Sequence, residues 1–268
     1  MEISVFAKLN LCLAVTGKKN GMHSLDGIMT ETFLSDRVFM EKTDSECSVE
    51  YTDGRAYAND TAYKAALTIK EKYHTGGIRV LIEKSIPEGA GLGGSSVDAA
   101  AVCRGMNEFY ELNGIDNNVM AAIGSDVPYC YYGGNKRVSG FGEVITDVDL
   151  PKLYQVILIP KGRVNTGECY ALYDKIGGKN PDVEKFLKEI KNGLPNCENA
   201  LFDAASTLNG EIGEGFKLLE KAGFCAGMTG SGSAVFGLER DKEEFFRKLN
   251  ILKKYASEEK FGIYAQKE

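Results

Sequence analysis

The chain has 268 residues, with 38 acidic side chains against 32 basic ones and a formal charge of −6. Apolar residues make up 43% and charged residues 26%, an ordinary globular balance that excludes disorder, collagen and coiled coil as global descriptions. The acidic excess argues against a nucleic-acid partner, which needs a positive field, and no apolar run approaches the roughly 18 residues of a membrane span.

Residues 3–16 alternate in character, with Leu9, Leu11, Leu13 and Val15 on one face and Lys8, Asn10 and Cys12 on the other. This predicts a strand with one polar side. It has no basic segment followed by an apolar one, so it reads as part of the fold and not as a signal peptide. Asn20-Gly21 supplies turn chemistry, and 26–41 reads as a second extended stretch. The spacing predicts a helix over 59–73, a strand over 77–86, a helix over 95–111 stopped by Asn113-Gly114, a short helix over 117–123 and a strand over 137–147. After Pro151 come a buried-type strand at 154–159 and helices near 167–175, 181–191, 198–209 and 213–222. A glycine-rich stretch over 227–233 leads into a strand, and a terminal helix covers 241–257. The pattern is α+β in two halves, divided as 1–148 and 149–268. Seven scattered cysteines without a CxxC pair, beside two histidines, predict reduced thiols in a cytoplasmic protein and no structural zinc.

The most informative stretch is Pro87-Glu88-Gly89-Ala90-Gly91-Leu92-Gly93-Gly94-Ser95-Ser96-Val97, between a strand and a helix. Its glycines let the backbone approach a polyanion and aim N–H groups at it, and the following helix N-terminus adds its own donors. Ser95 and Ser96 stand where a hydroxyl can cap the helix or reach a phosphate or a metal. Gly89-x-Gly91-x-x-Gly94 matches the dinucleotide pattern literally, but the alternating βαβ units of a doubly wound sheet are missing. A Walker loop would need Lys after the last glycine, where Ser95 stands. The positive charge must come from elsewhere, and Lys8 is a candidate.

Three separated motifs then fall together. Ala7-Lys8-Leu9-Asn10, the loop 87–96 and Gly227-Met228-Thr229-Gly230-Ser231-Gly232-Ser233 occur in the order of the GHMP kinases, and the chain resembles that family over nearly its whole length. Residues 17–37, Gly124-Ser125-Asp126-Val127-Pro128, Gly140-Phe141-Gly142-Glu143 and Val164-Asn165-Thr166-Gly167-Glu168-Cys169-Tyr170 resemble the members whose acceptor carries a cytidine diphosphate. Asn20, Met22, Ser95 and Val97 depart from the usual residues of that pattern.

The resemblance implies a two-domain fold, with an N-terminal domain containing a βαβ unit and a ferredoxin-like C-terminal domain. It implies an ATP-dependent kinase of a non-mevalonate isoprenoid route, phosphorylating a methylerythritol 2-hydroxyl, in a bacterial cytoplasm. ATP would lie on residues 87–97, with Thr229, Gly230 and Ser231 near the phosphates. Asp126 would be the base, Lys8 would orient it and polarise the hydroxyl, and Asn10 would bind the polyol. His23 would read the base edge and Tyr170 would lie against the ring. Mg2+ is expected between the phosphates, with Ser96 as its protein ligand. The molecule is expected to be a monomer or homodimer. Two rivals remain: a GHMP kinase acting on homoserine, mevalonate or a sugar, and a non-catalytic ligand-binding relative.

Overall fold

The computed structural model describes residues 1–257 and 259–267. Two long antiparallel strands, β1 (Glu2–Lys19) and β2 (Met22–Thr43), meet at Asn20-Gly21, where φ is 51° and 81°. Positive φ at both turn residues is what a two-residue hairpin loop needs. β3 (Cys47–Tyr51) and β4 (Gly77–Glu83) pair in parallel, joined by α1 (Thr61–Tyr73) as a βαβ unit. Three helices follow: α2 (Gly94–Phe109), α3 (Asn117–Ile123) and α4 (Val127–Tyr132). The hairpin of β5 (Lys136–Gly140) and β6 (Val144–Asp147) completes a six-stranded sheet of order β3-β4-β2-β5-β6, with β1 also on β2. α1 and α2 carry the buried alanines Ala62, Ala65, Ala66, Ala99 and Ala100, which allow close packing.

The second sheet begins with β7 (Tyr154–Pro160). After α5 (Thr166–Ile176), α6 (Val183–Glu189), α7 (Phe202–Leu208) and α8 (Gly210–Ala222) come β8 (Cys225–Met228) and β9 (Val235–Glu239), then α9 (Lys242–Tyr255) and β10 (Phe261–Ala265). The order β10-β7-β9-β8, antiparallel throughout, is the ferredoxin-like arrangement. Phe245, Phe261, Leu219 and Ile212 fill its core.

Several sequence expectations shift. The strand expected over 137–147 is two strands around a turn at 141–143, and the helix expected over 198–209 starts only at Phe202. β3, α4, β8 and β10 were not visible to periodicity, being four to six residues long. The polar side of β1 is not open to solvent: Ala7 through Val15 is buried on both faces. Residues 198–200 pair along its edge, with Leu13 N–H donating to Glu198 O at 3.1 Å and Ala200 N–H to Leu13 O at 2.8 Å.

Candidate active site

β1 is irregular where the chemistry-bearing residues stand. Its register against β2 shifts between Phe6 and Lys8 and again between Asn10 and Cys12. Such bulges re-aim side chains, and here they bracket Lys8 and Asn10, both nearly fully buried. Lys8 Nζ donates to Asn10 Oδ1 at 2.5 Å and lies 3.6 Å from Asp126 Oδ2. Asn10 Oδ1 also accepts from Gly230 N–H at 2.9 Å and from Thr229 Oγ1 at 3.2 Å. That oxygen is saturated, while Asn10 Nδ2 has no partner among the described residues.

The three motifs are thereby bonded into one assembly. Lys8 N–H donates to Leu92 O at 3.0 Å, Thr229 Oγ1 to Gly91 O at 3.1 Å and Ala234 N–H to Ala90 O at 3.0 Å. Asn199 Nδ2 holds the glycine-rich loop from behind, donating to Met228 O and Gly230 O at 2.9 Å each. Gly89, Gly91 and Gly93 take φ of 67°, 75° and 77°. At Gly91 a Cβ would lie 2.4 Å from Thr229 O, so no side chain fits between the two loops.

Gly93 is the N-cap of α2 and makes no side-chain cap bond. Ser95 and Ser96 are therefore inside the first turn and not at the cap expected from sequence. Their hydroxyls line a cavity of about 460 Å3 together with Lys8, Asn10, Asp126 and the loop 87–94. Val97 does not line it: the helix turns that side chain into the core, where it is 1% exposed. Thr229 is fully buried and its hydroxyl is used between the loops, whereas Gly230 and Ser231 do line the cavity. Ser231 Oγ lies 2.9 Å from Thr166 Oγ1 at the start of α5.

Asp126 is the N-cap residue of α4, yet its carboxylate makes no cap hydrogen bond and is turned to the cavity. The turn between β5 and β6 props this corner. Gly142 (φ 106°) packs so closely on Ser125 that a Cβ would lie 2.0 Å from Ser125 O. The Gly-Phe-Gly-Glu motif thus has a positional role that the sequence reading left without a reason.

Below the phosphate loop, Lys84 Nζ bridges Asp36 Oδ2 at 2.5 Å and Asp98 Oδ2 at 2.6 Å. Asp36 Oδ1 accepts Ser85 N–H and Ile86 N–H at 2.6 and 2.8 Å. Burial pushes the Asp98 carboxyl up to about 7, against the pull of Lys84, and its Oδ1 has no partner among the described residues. Sequence reasoning missed this buried support and also the far wall of the cavity, formed by Tyr51, Tyr57, Asn59, Asp60 and Thr61. The Asp60 cap of α1, donated to by Tyr63 N–H at 3.0 Å, was the available signal for that wall.

His23 and Tyr170 stand together at a second cavity of about 390 Å3. Their rings stack at 4.6 Å with planes 21° apart. His23 Nε2 lies 2.7 Å from Asp174 Oδ1, and Lys18 Nζ donates to Asp174 Oδ2 at 2.5 Å. The Lys18 and His23 hydrogen bonds hold the Asp174 carboxyl below its ordinary range. Burial, with the Asp126 charge, holds the Tyr170 phenol up and neutral. Leu25, Ser125 and Tyr170 line both cavities, so the two adjoin beside Asp126.

The family model described as GHMP kinases N terminal domain matches residues 60–134. A 4-diphosphocytidyl-2-C-methyl-D-erythritol kinase of Clostridium tetani is 35% identical over 93% of this chain and 95% of its own length. The belonging is decided there. This chain is a GHMP kinase.

A second kinase of the same name, from Caldicellulosiruptor bescii, is 34% identical over 96% of both chains. A solved 4-(cytidine 5'-diphospho)-2C-methyl-D-erythritol kinase superposes on this GHMP kinase with a TM-score of 0.79 and 31% identity, covering 99% of this chain and 98% of the other. A homoserine kinase from Cytophaga hutchinsonii, at 20% identity and a TM-score of 0.68, shares the fold. Two-domain α+β architecture is common to these GHMP kinases, and ATP is the co-substrate that the family implies. No helix among the described residues is long and apolar enough to cross a membrane.

Proposed function

We propose that this kinase transfers the γ-phosphoryl group of ATP to the 2-hydroxyl of 4-diphosphocytidyl-2-C-methyl-D-erythritol, in the non-mevalonate isoprenoid route. The observation that carries the reading is the pair of cavities adjoining at Leu25, Ser125 and Tyr170. One end has a lysine–aspartate pair beside a phosphate loop, and the other has a tethered histidine on an aromatic ring. An acceptor with a nucleobase at one end and a polyol at the other uses both. Homoserine or mevalonate would leave the His23 end without work.

At the transfer end, Asp126 takes the proton of the acceptor hydroxyl as its oxygen attacks phosphorus. Lys8, held by Asn10, orients that carboxylate and polarises the hydroxyl. Because Asn10 Oδ1 is saturated, its Nδ2 is the group that donates to the polyol. Residues 87–96 receive the moving phosphoryl, with Gly230 and Ser231 beside it in the cavity wall, in a reaction that is mostly positioning and electrostatics.

The oxygens facing the cavity suit magnesium riding on phosphates: Ser95, Ser96 and Asp126 line it, and no cluster of three His, Cys, Asp or Glu builds a dedicated cage among the described residues. Ser96 is the side chain that would hold the ion. When bound, Mg2+ supplies charge neutralisation at the phosphates.

At the reading end, His23 Nε2 lies 2.7 Å from Asp174 Oδ1; with the ring proton on Nε2 it donates to that carboxylate and leaves Nδ1 as an acceptor. An acceptor there suits the amino group of cytosine and opposes the carbonyl of uracil. Tyr170 fixes the imidazole plane and forms the wall toward Asp126. His23→Ala should raise KM for the cytidylyl substrate and leave KM for ATP near wild type. Tyr170→Ala should also raise KM for the cytidylyl substrate, because it frees the imidazole plane that the stacked ring holds. Coupled ADP-release kinetics on the two variants provide the test, and wild-type KM values in both would remove the cytidylyl assignment while leaving the kinase intact. Units 1–148 and 149–268 are proposed as the two domains.

A further inference from the structure

One cavity takes no part in the reaction described above. It has a volume of about 510 Å3, lies against the start of β8, and has both Cys197 and Cys225 in its wall. The two sulfurs stand 3.7 Å apart, brought together from 28 residues of sequence separation. All seven cysteines are free thiols. We propose that Cys197 and Cys225 form a reversible oxidation site, closed to a disulfide by a peroxide, and that closure slows the kinase.

The two thiols differ in the way such a pair needs. Cys225 is partly exposed and Cys197 is buried, so an oxidant in the cavity meets Cys225 first. The contact with Cys197 holds the Cys225 thiol below its ordinary range, against its burial, while the same contact and burial push Cys197 up; the Cys225 thiol also donates to Pro195 O at 3.0 Å, a bond it gives up on ionising. A partly exposed thiolate with a second thiol within reach is the arrangement of a redox-responsive site.

The chemistry balances with hydrogen peroxide as oxidant. Cys225 thiolate attacks one peroxide oxygen, the O–O bond breaks, and the departing hydroxide takes up the proton that Cys225 had lost, leaving as water. Cys225 is then a sulfenic acid. Cys197 sulfur attacks the Cys225 sulfur, the S–O bond breaks, and the second hydroxide leaves as water with the Cys197 proton. Two thiols and one peroxide give one disulfide and two waters, with two electrons passing from sulfur to oxygen.

The pair is wired to the active site by short backbone segments. Cys197 bridges Gly227 in parallel, and two residues later Asn199 holds Met228 O and Gly230 O. β8 itself runs from Cys225 directly into the glycine-rich loop whose Gly230 N–H fixes Asn10. A disulfide needs its sulfurs at about 2.05 Å, so closure brings the two sulfurs about 1.6 Å nearer than their 3.7 Å separation. Asn199 and the loop against Lys8 and Asn10 are the first groups that a backbone adjustment at the pair reaches, and we infer that this is how closure slows the kinase.

The test treats the full-length kinase with hydrogen peroxide, alkylates the remaining thiols, maps the peptides and measures kcat/KM. A peptide pair linked through Cys197 and Cys225 is expected, with kcat/KM reduced about tenfold or more, as for an angstrom-scale misplacement. Dithiothreitol should restore both. Cys225→Ser should keep its activity through the same exposure. Cys197→Ser should stop at a Cys225 sulfenic acid that dimedone traps, which keeps the test open if the first variant folds poorly. Alkylation of both cysteines after peroxide would overturn the proposal. A complete link with unchanged kcat/KM would overturn it too, as would the same loss of activity in a folded Cys225→Ser protein.

Discussion

Asp126→Asn is expected to lower kcat by at least ~100-fold, the lower end of what a positioned general base contributes, with melting temperature and ATP affinity close to wild type. Stability is spared because the carboxylate carries little of the fold. It makes no cap bond to α4 although it stands at the N-cap, it is 26% exposed, and its ion-pair partner is Lys8 at 3.6 Å. Asparagine is itself an accepted N-cap residue. The backbone of this corner is set instead by Val127 N–H donating to Gly124 O at 2.9 Å and by Gly142 packed on Ser125. Steady-state kinetics beside thermal melting separate the roles. Near-normal turnover in a folded variant would remove Asp126 from the chemistry, and a collapse of melting temperature would make it a structural residue.

The second large effect is expected at Gly93. Gly93→Val should weaken ATP binding by at least ~100-fold, since it combines an αL backbone, costly for a β-branched residue, with a collision. Gly93 has φ 77°, and a Cβ there would stand 3.0 Å from Lys8 Cγ and 3.5 Å from Lys8 Cε. Lys8 has no free direction in which to yield, because its Nζ is held by Asn10 and faces Asp126. One added side chain therefore disturbs the helix start that receives phosphate and the pair that activates the acceptor. Calorimetry with a non-hydrolysable ATP analogue measures it, and wild-type affinity would dismiss residues 87–96 as a phosphate cradle.

The sequence was most legible where one local rule decides. The loop 87–96 announces itself because three residues at positive φ require glycine, and α2 follows because its apolar spacing is helical over four turns. Lys8 and Asn10 were found by motif and not by pattern. Simple alternation put them on a polar strand face, whereas in the fold two bulges bracket them and the loops at 91–93 and 229–230 pack against them. Short strands such as β8 and β10 draw their stability from neighbours in the sheet, so no period in their own residues marks them. The same holds for Asp174. It sits in a helix among ordinary charged residues, and its tie to His23 spans 151 positions, which local spacing cannot express. Ser95 and Ser96 were read as able to cap the helix because a Ser after glycine resembles a cap, whereas here Gly93 itself takes the N-cap place with φ 77°.

The most direct measurement of the central claim is an ADP-release assay with wild-type protein, Mg2+ and ATP, offering 4-diphosphocytidyl-2-C-methyl-D-erythritol, homoserine and mevalonate in parallel. The joined cavities, with Asp126 at one end and His23 on Tyr170 at the other, predict turnover with the cytidylyl substrate alone and a product carrying its new phosphate on the 2-hydroxyl by 31P NMR. Turnover of homoserine or mevalonate in preference to the cytidylyl compound would contradict the account.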